Sequence, residues 1–148
     1  VTECLIRLDA TSNHTRMLLR FELGDIVFLS AADSCPSEWD EVPEIFFKNV
    51  NVLKLPHHGQ IDSISESFMK NMPLEYIITT SASDRRYHSA NQAVYQKLAA
   101  IFPAEHPPHF LFSDEREYPP YFSQPEGFQA IKLVMDSGMV IPEFIRIQ

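Results

Sequence analysis

The sequence predicts an α/β layered domain. Short, bulky apolar runs alternate with amphipathic helical segments through the middle of the chain, and turn-linked pairs of such runs flank that middle on both sides. The chain has 148 residues, of which 45% are hydrophobic, enough for one domain, 1–148, with its own core and too short for two.

Met17 to Phe21 and Ile26 to Ser30 are apolar runs separated by Glu22-Leu23-Gly24-Asp25, whose Gly-Asp pair marks a hairpin turn. Val50 to Leu55 reads as a third strand, apolar at Val52, Leu53 and Leu55 and ended by Pro56. Ser63 to Met72 reads as a helix, because Ile64, Phe68 and Met72 share a face and Ser63 and Glu66 have capping-box spacing. Tyr76 to Thr80 is a fourth strand. Asn91 to Phe102 is a second helix, with Val94, Leu98 and Ile101 on one face and Ser89 and Gln92 again at capping-box spacing. Phe110 to Ser113 is a fifth strand, the Pro- and Tyr-rich Glu115 to Gly127 a long irregular loop, and Ala130 to Met135 with Met139 to Ile147 a hairpin about Asp136-Ser137-Gly138.

The formal net charge of -8 is spread along the chain, so the surface is expected to repel a nucleic-acid backbone. Cys4 and Cys35 are too few for a disulfide framework and do not form a structural zinc motif, which points to a reducing, cytoplasmic setting. No run has the length of a membrane span, and VTECLIRLDA lacks the pattern of a signal peptide. Val1 in place of an initiator methionine suggests a processed or excised chain with a preceding segment.

Chemistry-bearing residues recur just after predicted strand ends: Asp33, then His57 and His58, then Asp84-Arg85-Arg86-Tyr87-His88, then Asp114. Open α/β sheets bind ligands beyond those ends. An aspartate with one or two histidines suits a divalent metal such as zinc, manganese or iron. Each residue also has a plainer reading: Asp33 as a turn acid, His57 and His58 as turn residues bonded to backbone, Arg85 and Arg86 as solvated charge instead of a phosphate clamp, His88 as structural, Cys35 as an idle thiol. His14, His106 and His109 read as exposed loop residues.

The run LKLPHHGQIDSISESFMKNMPLEYIITTSASDRRYHSANQAVYQKL resembles the second half of metallo-β-lactamase-fold hydrolases, in the branch of competence DNA-uptake proteins. That branch has a strand running into His-His-Gly-Ser, a Ser-rich helix start, a strand, and an Asn-Arg-Tyr-Gly-His-Pro-His-like segment. NHTRMLLRFELGDIVFLSAAD resembles its Asn-x-x-Ser-Leu-Val-Leu strand, Gly-Asp hairpin and Leu-Phe-Thr-Gly-Asp strand end. The resemblance runs from about Asn13 to Leu98. It implies half of an αββα sandwich, with a mixed sheet and two main helices, and ester or phosphoester hydrolysis by a metal-bound hydroxide. It places a bridging carboxylate on Asp33 and a late metal ligand on His58, with His57 as the alternative; Arg85, Arg86 and His88, candidate substrate contacts beside such a metal, are not placed by the resemblance, and His88 is displaced from the family's histidine positions. The metal implied is zinc or manganese.

The sequence departs from that pattern. The family's His-x-His-x-Asp-His is absent, Ala32 replaces the Gly before the Asp, Gln60 replaces the Ser after His-His-Gly, and the two histidines of Gly-His-Pro-His fall on Ser89 and Asn91. Two expectations follow. One is an incomplete hydrolase whose N-terminal, ligand-bearing half is supplied elsewhere and which acts on a small ester or phosphoester. The other is a non-catalytic module that has lost its metal and covers its apolar sheet face by homodimerisation.

Overall fold

A computed structural model describes residues 17–34, 36–81, 89–113 and 127–146. Five strands form one sheet in chain order: β1 (Leu19–Leu23), β2 (Ile26–Ser30), β3 (Val52–Lys54), β4 (Tyr76–Thr79) and β5 (His109–Phe112). β1 pairs antiparallel to β2 through the predicted Gly24-Asp25 turn, and β2 to β5 run parallel. The sheet is therefore mixed, as the sequence predicts. β6 (Ala130–Asp136) and β7 (Met139–Ile145) form a separate antiparallel hairpin.

Sequential parallel strands joined by crossovers of one hand receive all their connections on one face. The connections here are short helical turns at Pro36–Glu41 and Glu44–Phe46, helix α1 (Glu66–Met69) and helix α2 (Gln92–Ile101). They bury Trp39, Phe47, Met69, Met72, Val94, Tyr95 and Leu98 against Val27, Leu29, Leu53, Ile77, Phe110 and Phe112 of the sheet. The ring of Trp39 stacks on Phe47 at 5.1 Å and meets Phe68 edge-on at 5.7 Å.

The opposite face is covered by the β6–β7 hairpin, where Val140 joins buried Ile26 and Val52, with Phe28, Tyr76, Ile78, Leu133 and Met135 around them. The Tyr76 hydroxyl donates to the Val140 carbonyl at 3.0 Å and fastens the hairpin to β4. Alternation on β1 puts Leu19, Phe21 and Leu23 on this face, where they are 42%, 56% and 59% exposed, so the hairpin covers only part of it.

The two predicted helices are shorter than expected and start differently. α1 spans only Glu66–Met69 with Ser65 at its N-cap, while Ser63 turns back so that its N–H bonds the Gln60 carbonyl at 2.9 Å, and no capping box forms. α2 is capped by Asn91, whose Oδ1 accepts the Ala93 N–H at 3.0 Å, and not by Ser89. Before α1, Ser63 is tied into the preceding turn; before α2, the N–H groups of Ala90 and Asn91 are tied to the His58 and Gly59 carbonyls, so the chain enters the helix at Asn91. The Pro56–Gly59 turn, the turns at Pro36–Glu41 and Glu44–Phe46, and the placement of His109 at the start of β5 are features that hydrophobic periodicity does not carry.

Candidate functional site

Parallel pairing brings the C-terminal ends of β2, β3 and β4 to one edge, with Ser30, Lys54 and Ile78 in register. Two turns leave that edge. After β2, residues 31–34 make a tight turn closed by the Ser34 N–H on the Ala31 carbonyl at 3.0 Å, which presents Asp33. Ser34 Oγ also donates to that carbonyl, and accepts the Trp39 indole N–H at 3.0 Å, so the turn is anchored to the core. After β3, Pro56 to Gly59 presents the two histidines.

Both turns use left-handed backbone. Ala32 lies at φ 44, His57 at φ 46, His58 at φ 51, Gly59 at φ 70 and, on the facing segment, Ala90 at φ 46. Each non-glycine residue held there costs about 1–2 kcal/mol, so the surrounding bonds must enforce the shape. Three backbone bonds do so: the His57 N–H bonds the Ala32 carbonyl at 3.1 Å, the Ala90 N–H the His58 carbonyl at 2.8 Å, and the Asn91 N–H the Gly59 carbonyl at 2.9 Å. Gly59 is packed so closely that an added Cβ would sit 2.6 Å from the Tyr95 hydroxyl.

This geometry separates the two histidines. The His57 ring turns to Asp62, with Nδ1 2.9 and 3.1 Å from the two carboxylate oxygens. The His58 ring bonds the Thr80 carbonyl through Nδ1 at 2.6 Å. A carbonyl only accepts, so Nδ1 carries the hydrogen and Nε2 is left to face Asp33, whose Oδ1 lies 3.5 Å away. An imidazole whose other nitrogen is fixed on a carbonyl is the usual state of a metal-ligating histidine. The separation also fits: two ligand atoms about 2.0–2.1 Å from one tetrahedral ion lie about 3.4 Å apart. The donor count does not reach a full site, for among the described residues no group of three His, Cys, Asp or Glu converges.

Asp33 and His58 are thus brought together, and His57 is directed elsewhere. Arg85, Arg86, His88, Asp84, Asp114, Cys35, Cys4 and His14, with the loop from Glu115 to Pro125 and Glu126, lie outside the described residues. Ser89 is buried, and Asn91 spends its side chain on the helix cap.

Lys54 was not apparent as a site residue from the sequence. Its ammonium donates to the Ala32 carbonyl at 2.7 Å and lies 4.0 Å from Asp33 Oδ1. Burial pulls its pKa below the ordinary lysine value, and the Asp33 charge opposes that shift in part. The available signal was a single charge between Leu53 and Leu55 in a buried strand.

Fold and site together define an α/β protein with a carboxylate and an imidazole juxtaposed beyond the ends of parallel strands. The chain is similar to ComE operon protein 3 of Bacillus subtilis (strain 168), with 29% identity over 90 residues. The match covers 60% of this chain and 12% of that protein, so the chain corresponds to a small part of its relative's length. No family model matches the chain, and no solved structure matches it significantly. No helix among the described residues is long and apolar enough to cross a membrane.

Proposed function

We propose that this chain is the second half of a metallo-β-lactamase-type hydrolase domain and contributes Asp33 and His58 to a site for zinc or manganese. The observation that carries the reading is the pairing of His58 Nε2 with Asp33 Oδ1 at 3.5 Å while His58 Nδ1–H is held by the Thr80 carbonyl. The alignment with ComE operon protein 3 supports it at the level of relatedness. A metal held there would supply a hydroxide for ester or phosphoester hydrolysis, and the chain's own residues would orient it: Asp33 as anionic ligand, His58 as neutral ligand, Thr80 fixing the tautomer. The remaining ligands come from a further segment, the N-terminal half of the domain, whose seat is the apolar stripe Leu19-Phe21-Leu23 left open beside the hairpin. Arg85, Arg86 and His88 are the substrate-side residues of this reading.

Equilibrium dialysis with metal analysis tests it, using the chain joined to its N-terminal half. Stoichiometric zinc or manganese that is lost in both Asp33→Asn and His58→Ala is the expected result. Unchanged metal content in both variants refutes it.

A second reading has its own observation. Two ligands and a nearby Lys54 ammonium give a site already balanced in charge, as suits a module that binds or assembles without catalysis. Its open stripe would then be covered by a second copy. Sedimentation showing a dimer whose association is lost in Phe21→Glu favours this reading, and a strictly monomeric chain excludes it.

A further inference from the structure

One carbonyl oxygen joins the parts of the site. The Ala32 carbonyl accepts the Lys54 ammonium at 2.7 Å and the His57 N–H at 3.1 Å. It belongs to the peptide that links strained Ala32 to Asp33, so whatever holds that oxygen sets the plane from which the Asp33 side chain departs. The His57 N–H brings in the histidine turn, and Lys54 brings in β3, the strand between them. Asp33 Oδ1 then lies within reach of both Lys54 Nζ at 4.0 Å and His58 Nε2 at 3.5 Å.

We propose that Lys54 is the positioning residue of this site, fixing the Ala32–Asp33 peptide so that the carboxylate meets His58. The inference rests on the metal-site reading of Asp33 and His58. The ion pair alone gives no reason for an ammonium here. The Lys54 side chain is only 14% exposed, whereas that of Asp33 is 50% exposed, so the ion pair gains little while the lysine loses water. A hydrophobic side chain of the same length would fill the same space on β3 without that cost. What it would lack is the donor to Ala32.

The test uses the chain joined to its N-terminal half, with Lys54→Met and Lys54→Arg, read by zinc affinity, thermal midpoint and amide exchange of His57. In Lys54→Met we expect a thermal midpoint equal to or above wild type, about 10–100-fold weaker zinc binding, and His57 exchange at least about tenfold faster. Lys54→Arg, which keeps a donor, restores part of both site readouts. Unchanged His57 exchange, or unchanged or tighter zinc binding in Lys54→Met, overturns the proposal; tighter binding makes Lys54 a cation that competes with the metal. A wild-type joined protein that binds no zinc refutes the metal reading of Asp33 and His58, and the exchange measurement still decides whether Lys54 holds the turn.

Discussion

Gly59→Ala probes the turn on which the site depends. Gly59 lies at φ +70, and an added Cβ would sit 2.6 Å from Tyr95 Oη, 3.1 Å from Thr79 Cγ2 and 3.4 Å from the Ala90 Cα. The left-handed backbone alone costs alanine about 1–2 kcal/mol. The steric part is larger, because the oxygen it strikes is buried and bonded to Thr79 Oγ1 at 2.6 Å, and overpacking of this kind costs about 1–3 kcal/mol. The sum is about 2–5 kcal/mol. Gly24→Ala is the internal control: it has a similar φ of +59 but nothing within 4 Å, so only the backbone cost of about 1–2 kcal/mol applies. Urea denaturation of the two variants gives the difference directly. Removing the struck oxygen in Gly59→Ala/Tyr95→Phe should recover about 0.5–3 kcal/mol relative to additivity. A Gly59→Ala no less stable than Gly24→Ala, or a strictly additive double variant, refutes the packing account.

Tyr76→Phe removes the bond to the Val140 carbonyl and is expected to cost about 0.5–1.5 kcal/mol, with hydrogen exchange accelerated in β6 and β7 more than in β2 to β5. Asn91→Ala leaves the Ala93 N–H uncapped and should cost about 1 kcal/mol in denaturation, whereas Ser89→Ala has no cap to lose. Lys54 gives a pH dependence of known sign: its folded pKa lies below the ordinary 10.5, so the unfolded chain binds the proton more strongly and stability rises with pH between the two values. The stability gap between Lys54→Met and wild type should therefore be widest at neutral pH and narrow as pH approaches 10.5, followed by thermal melting; a gap constant with pH contradicts this. Lys132→Ala, which breaks the exposed pair with Glu143, should change stability by less than about 1 kcal/mol.

Much of the sheet was legible because a strand's apolar alternation is a local property. Ile26 to Ser30 is observed with the predicted bounds, and the Gly-Asp and Ser-Gly turns fall where the sequence puts them. The helices were less legible. Ser63 and Ser89 have the spacing of capping residues, yet Ser63 is drawn into a turn with Gln60, and residues 90 and 91 are tied to the His58 and Gly59 carbonyls, which moves each cap two residues on.

The sequence by itself determined that Asp33 and the His57-His58 pair follow directly on strand ends, since strand and turn positions follow from local pattern. Only the tertiary structure decided which of two adjacent histidines faces Asp33. That choice depends on three consecutive left-handed residues, held by bonds to Ala32, Thr80 and residues 90–91 that lie far away in the chain. The same holds for Lys54, an ordinary surface residue type that becomes part of the site because β3 is covered on both sides and its ammonium finds the Ala32 carbonyl 22 residues away. Backbone strain and charge burial are properties of long-range contacts, and no local pattern in Leu53 to Gln60 encodes them.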